Sequence, residues 1–467
     1  MDNSTNSTRT ELHDNMDQFF LIVNGFIVVF MQAGFAFLEA GSVRSKNTTN
    51  ILIKNTLDLF IGGIIYWLFG FAFAFGGNND KYKGEGDRFI GHTDFALADL
   101  DSDQYAFWFF QFVFAATAAT IVSGAIAERA EFMAYLIYSG LITGFVYPVV
   151  THWAWSKDGW LAAENSDTPY MDFAGSGVVH MVGGMLALTG AICVGPRIGR
   201  FDKSNDQSIR GHTVPMVSLG GFILFFGFLA FNGGSQLSIS NAGDASVVAL
   251  AIVNTILSGA GGAVTAMLMK RIATGLFDGH WSLLTTINGG LAGMVSICAG
   301  CNTVEPFAAF ITGLFAGMVF MLWSFVLEKL KVDDPLDAVA VHYGAGLWGV
   351  MAVTLFKRDD GVFYKWSDQS FDQFGWNLLG AAVITVWSAF WGFVIFGLLR
   401  IFGLLRVPRD IELKGLDVPK HGEPAYPIES YGDGWSQTPA VNGNTHNAIG
   451  LANRGIQQDI PPGAPRS

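Results

Sequence analysis

Two histidines stand alone in apolar company. His180 lies in the run DFAGSGVVHMVGG, Asp172 to Gly184, and His342 in DAVAVHYGAG, Asp337 to Gly346; each follows an acid and precedes small residues. An imidazole held away from water is neutral, because desolvation disfavours its charged form, and it then donates at one nitrogen and accepts at the other. Two such rings in contact can share a hydrogen bond and turn their remaining edges toward a small polar solute. A lone His on an apolar helix is commonly a satisfied partner between helices. Ionisable groups inside membrane spans are nonetheless functional candidates, and a second one in an equivalent setting strengthens that reading. No third His, Cys or carboxylate lies at comparable depth, so neither a metal site nor a cofactor is expected. The acids suit helix N-termini, where a carboxylate caps free N–H groups and meets the positive end of the dipole. Asp337, after the DDP step, is expected to be mainly such a cap, and Asp172 to cap while facing the side from which a cation arrives.

The elements that must position these groups follow from composition. Of 467 residues 51% are hydrophobic and only 14% charged, against about a quarter charged in soluble domains, which makes this a membrane protein. A spanning helix needs about 20 mainly apolar residues. Eleven such runs occur, near Gln18–Leu38, Thr56–Phe75, Tyr105–Ala127, Met133–Val150, Gly175–Val194, Pro215–Gln236, Ser246–Met269, Trp281–Ala299, Pro306–Leu327, Ala338–Phe356 and Gln373–Leu405. The expected fold is an all-α polytopic membrane protein with eleven transmembrane helices. An N-terminal tail (1–17) precedes the helical domain (18–405), and a C-terminal tail (406–467) follows it.

Lysine and arginine concentrate on the cytoplasmic side of a membrane. With the N-terminus outside, the inner segments hold 19 of them and the outer segments 8, so the orientation is N-out, C-in. No cleavable leader is expected, the first span serving as its own signal. Sequons at Asn3 and Asn6 then fall outside, where glycosylation is possible, while Asn47 falls inside and stays bare. Spans one to five and six to ten enter from opposite sides, which is the arrangement of an inverted repeat with a site where the halves meet. At about 1.5 Å per residue, His180 lies roughly 12 Å inward from Asp172 and His342 roughly 7 to 8 Å inward from Asp337. In a core about 30 Å thick the two rings approach each other near the centre.

Other features read as structural. The pair Cys298 and Cys301 lacks a second ligand pair and reads as packing. The outer loop 76–104 carries seven acids against three bases and reads as a solvated surface. Glu39, near the inner end of the first span, is expected to pair with a base such as Arg44. No metalloprotease, nucleophile-elbow or phosphate-loop motif is present, so no enzyme is expected. A net charge of −12 offers no footprint for nucleic acid.

Taken together, DFAGSGVVH, AFNGGS, DDPLDAVAVH and GLDVPKHGEPAYP, in this order over about Gln18 to Pro427, resemble the ammonium transporter (Amt/Mep/Rh) family, closest to its Amt branch. The resemblance implies a plasma-membrane homotrimer with one pore per subunit, carrying ammonium or methylammonium through the lipid bilayer. It implies that Phe114 and Phe231 form the paired rings of an outer gate, that Trp155 and Ser235 recruit the cation, and that Asp172 supports that site. It also implies that His180 and His342 line a hydrophobic pore. Phe228 lines the same wall where many members carry Trp, and Pro419 stands at or beside the position of a phosphorylated Thr in plant relatives, so no phosphate switch is expected there. Physically, an aromatic face and a hydroxyl replace part of an ammonium ion's hydration. An intact ion cannot cheaply enter a dry pore, so deprotonation before passage lowers the barrier. A neutral ammonia or carbon dioxide channel, and an ammonium sensor signalling through the C-terminal tail, are the alternatives.

Overall fold

The computed structural model describes residues 2–77, 87–98, 100–162, 168–202, 209–275 and 278–431. The side chains of Asn3 and Asn6, residues 78–86 and 99 of the acidic loop, and the last 36 residues lie outside the described set. Eleven helices account for the apolar runs: α1 Asp2–Ser42, α2 Ser45–Phe75, α3 Ser102–Ala125, α4 Phe132–Trp155, α5 Ser176–Val194, α6 Val214–Gly234, α7 Asp244–Thr274, α8 Leu283–Ile297, α9 Pro306–Lys329, α10 Val339–Phe356 and α11 Asp368–Ile401. Ten are long and apolar enough to cross a membrane, and α8 is a shorter apolar helix. A last short helix, α12, covers Arg409–Lys414. Among the described residues there is no strand, only two isolated bridges.

Composition decides which helices lie inside. In α3 every side chain from Phe110 to Ala125 is buried, and α5 is nearly as enclosed. Both are rich in Ala, Gly, Val and Thr, which allow neighbours on all sides. The outer helices show large apolar groups to their surroundings: Phe222, Leu322 and Val386 are each more than half exposed, as a bilayer solvent permits. α1 and α6 pack closely against each other. Their crossing depends on Gly220, where a Cβ would stand 2.3 Å from the Leu38 nitrogen.

The two halves repeat each other in detail. The turn after α3 ends at Ala130, bridged to Arg406, and is followed by Glu131 and then α4. The turn after α8 ends at Val304, bridged to Lys357, and is followed by Glu305 and then α9. α5 and α10 each open with a wide π-helical turn, Ser176–Met181 and Val339–Gly344, and each turn carries its histidine. Wide turns of this kind concentrate at functional sites. α11 lies against α5 and α10.

Residues 406–421 close one face, here the tail face. Arg406 pairs with Glu412 at 2.8 Å, Lys420 with Glu131 at 2.8 Å, and the Lys46 ammonium donates to the Leu413 carbonyl. Asn47, completely buried, accepts the Leu416 N–H at 3.0 Å and donates to Glu128 at 3.0 Å. On the same face Arg197 joins the halves, contacting Glu128 at 2.8 Å and Asp333 at 2.8 Å.

Two sequence expectations are corrected here. The cap of α10 is Asp334, not Asp337: Asp334 Oδ2 accepts the Val339 N–H at 2.8 Å. Asp337 sits at φ 58° and its carboxylate accepts the Ser324 hydroxyl instead. The spacing from Asp334 to His342 thus equals that from Asp172 to His180. Nor does Arg44 pair with Glu39. Arg44 turns to Glu128 at 3.0 Å, while Glu39 accepts from Ser123 and, at 3.1 Å, from Asn55.

Candidate functional site

From the face opposite the tail, a cavity of about 130 Å³ leads inward, lined by Trp155, Ser235, Gln111, Phe107 and Phe114 among others. Trp155 ends α4, and its indole N–H is committed to the Asp172 carbonyl at 2.7 Å, which leaves the ring face for the cavity. Ser235 follows α6 and donates its hydroxyl to the Phe231 carbonyl at 2.8 Å, so its lone pairs remain to accept. The mouth therefore offers an aromatic face and oxygen acceptors, a combination suited to a small N–H cation.

Asp172 lies just before α5. Its carboxylate accepts the N–H groups of Gly175 at 3.1 Å, Gly177 at 2.8 Å and Val178 at 2.8 Å. Burial pushes its carboxyl up to about 6, against the opposing pull of those backbone donors. Asp172 thus holds the turn that carries His180 and, through its carbonyl, the indole of Trp155.

Beneath the mouth, Phe114 from α3 and Phe231 from α6 lie face over face, their centroids 4.1 Å apart at 32°. Trp155 meets Phe114 edge-on at 6.0 Å. No hydrated ion fits between rings at that spacing. Below them His180 and His342 approach with Nδ1 atoms 3.1 Å apart and planes inclined by 18°. Phe228 stacks on His180 at 5.6 Å, and Phe35 flanks His342 at 6.3 Å. Nε2 of His180 is buried and has no hydrogen-bond partner among the described residues. The shared Nδ1 contact fixes one nitrogen of each ring and leaves the other, an acceptor on one ring and an N–H donor on its partner, for a passing solute. On the tail side of the pair a second cavity, about 20 Å³, is lined by His342, Glu39, Phe35, Leu291 and Asn288 among others.

The structure therefore brings Phe114, Phe231, Phe228, His180, His342, Trp155 and Ser235 into one line, with Asp172 as the support of its upper part. Sequence reading passed over Gln111 in the mouth, Asp334 as the second cap and Glu39 beside the lower ring. Asp334 was recoverable from its spacing of eight to His342. Cys298 and Cys301 are buried free thiols within the protein interior. No group of three or more metal-ligating side chains occurs among the described residues.

Comparison with known proteins agrees with this geometry. The Ammonium Transporter Family profile matches residues 19–426. A putative ammonium transporter 1 of Caenorhabditis elegans is 49% identical over 454 residues, covering 93% of this chain and 83% of that protein. Ammonium transporter 1 member 2 of Arabidopsis thaliana is 43% identical, covering 83% and 79%. Among solved structures, a sensor Amt protein superposes with a TM-score of 0.78 at 34% identity, covering 88% of this chain and all of the other. Candida albicans Mep2 superposes with 0.75 at 25% identity, covering 86% and 88%. With a buried histidine pair beneath stacked phenyl rings in a bundle of eleven apolar helices, this multi-pass membrane chain is a member of the ammonium transporter family.

Proposed function

We propose that this chain moves ammonium across the plasma membrane. The ion is recruited between Trp155 and Ser235, loses a proton, and passes as ammonia between Phe114 and Phe231 and along the edges of His180 and His342. Methylammonium serves as an alternative substrate. The observation that carries this reading is the unpartnered Nε2 of His180, buried directly below the closed phenyl pair. A buried nitrogen without a partner costs free energy, and ammonia, which both donates and accepts, supplies the missing bond. Sodium has no N–H to give and remains unpaired at the same place.

The tail face is cytoplasmic in this reading, in keeping with the 19 to 8 excess of Lys and Arg, and the broad apolar surface of α7 and α9 is available for a homotrimer. The test is uptake of ammonium and methylammonium into proteoliposomes holding the purified protein. Uptake well above that of empty vesicles, with sodium and potassium excluded, is the expected result. Uptake no faster than in empty vesicles overturns the reading.

A second reading is ammonium sensing, favoured by the C-terminal segment seated on residues 44–50 and 128–131. Removing the residues after Tyr426, which continue the chain from that seated segment, then breaks signalling and leaves flux intact.

A further inference from the structure

We propose that Glu39 takes up the proton on the tail side of the histidine pair, so that ammonium crosses this chain as ammonia together with its proton. The inference rests on the twin-histidine reading above and adds to it a destination for the proton.

Glu39 and His342 are the two titratable groups lining the cavity of about 20 Å³ below the pair, and that volume holds roughly one water molecule. Glu39 is 2% exposed and lies within one turn of the end of α1 at Ser42, one step from the tail face. The ordinary role of a buried carboxylate is an ion pair, and Glu39 has no such partner among the described residues. Arg44 is committed to Glu128, and the Lys54 ammonium donates to the Ala130 carbonyl at 3.3 Å. Both Glu39 oxygens instead accept from neutral groups, the Ser123 hydroxyl and the Asn55 amide, and each oxygen keeps a lone pair for a proton. The other ionisable groups that act on it are Lys54 and Asp58 on α2 and Tyr135 and Tyr138 on α4. Asp58 is itself saturated by Thr120 at 2.9 Å, Ser139 at 2.6 Å and Tyr135, which leaves Glu39 as the acceptor that borders the pore.

The transfers balance without any redox step. An N–H bond of ammonium breaks as one forms on His180. The Nδ1 contact of 3.1 Å hands a proton to His342. His342 releases one through the cavity to the Glu39 carboxylate, which returns it to ammonia or to solvent on the tail face. Ammonia itself follows the pore uncharged.

The test uses the full-length protein in proteoliposomes, given an ammonium pulse. Charge movement is recorded by capacitive current and ammonia entry by the alkalinisation of an entrapped dye, in the same preparation. The ratio of charge to ammonia entry is expected to fall about tenfold or more in Glu39→Gln, as loss of a proton acceptor commonly does, and to recover in Glu39→Asp. A folding defect lowers both signals together and leaves the ratio alone, so an unchanged ratio in Glu39→Gln overturns the proposal whether the signals persist or fall. Wild-type protein that admits ammonia without charge overturns the proposal and leaves the twin-histidine reading standing. Wild-type protein that admits neither overturns both.

Discussion

Asp172 Oδ2 accepts the Gly177 N–H at 2.8 Å, which ties this acid to the turn that carries His180. Capping and charge can be separated by substitution. Asp172→Ala removes the side-chain acceptor of three backbone N–H groups, a loss worth about 1 kcal/mol for a helix cap, and we expect it to abolish uptake in protein that still reaches the membrane. Asp172→Asn keeps an acceptor and removes the charge. If only capping matters, uptake in the Asn variant matches wild type; we expect it to be lost as well.

The same carboxyl sets a pH dependence. Burial raises it from 3.8 to about 6, so its contribution to folding is complete below the unfolded value and is lost as pH rises through 6. At neutral pH the fold holds an ionised carboxylate against its own preference. Uptake is therefore expected to decline as the pH on that face drops through about 6, where Asp172 becomes neutral while ammonium remains protonated. Initial rates at constant ammonium concentration check this, and a flat profile from pH 7 to 5 contradicts it.

For the histidines, His180→Ala and His342→Ala each open a void lined by Phe228, Phe231 or Phe35 and strand the partner imidazole. We expect a change of about tenfold or more in ammonium flux, or admission of potassium, with folding retained. Wild-type flux and selectivity in both variants would return the pair to a packing role.

Acid should loosen the tail face before the bundle. Burial alone would raise the Glu128 carboxyl, but the charges of Arg197 and Arg44 outweigh it and hold it down to about 2. Asp333 is likewise held to about 2 against burial by Arg197 hydrogen bonds and the Arg129 charge. Both are depressed groups, so their stabilisation is present above the ordinary carboxylate range and is lost as pH falls toward 2. The Glu128 shift corresponds to about 3 kcal/mol. Thermal unfolding in detergent should show this loss between about pH 5 and 2, and Glu128→Gln, which leaves Arg197 partly uncompensated, should be destabilised by about 3–5 kcal/mol at pH 7.

Docking of the C-terminal segment turns on Gly415, which stands at φ 97° with Lys46 packed against it; a Cβ there would come within 2.5 Å of the Lys46 side chain. Gly415→Ala should release residues 406–421. Limited proteolysis after Lys414 or Lys420 is expected to accelerate about tenfold, as for a loss of 1 to 2 kcal/mol, and an unchanged cleavage rate counts against the assignment.

Much of this was legible beforehand, for reasons that differ by residue. Lipid-facing runs such as α6 and α9 are continuous in apolar residues, so their ends were found to within a few positions. α2 was read as starting at Thr56 and starts at Ser45 because Asn47, Asn50, Lys54 and Asp58 are buried among polar partners rather than facing lipid, and hydropathy cannot distinguish those settings. The pairing of the two histidine-bearing turns was visible as a repeated pattern. Glu39 was assigned the wrong partner because Glu128, which takes Arg44, is 84 residues away in the chain, and only the folded backbone decides between two acids. Asp334 was missed beside Asp337 because the intervening Pro335 hides which of them precedes the first helical N–H.

Arg197 carries a last consequence. It clasps Glu128 from the first half and Asp333, at the entry to α10, from the second, and so rivets the pseudo-symmetric halves together on the tail-side rim. Halves fastened there cannot swing past each other in the manner of a turnstile. Transit must instead resemble a sieve, in which only rings and solute move, with turnover that slows gently rather than steeply on cooling.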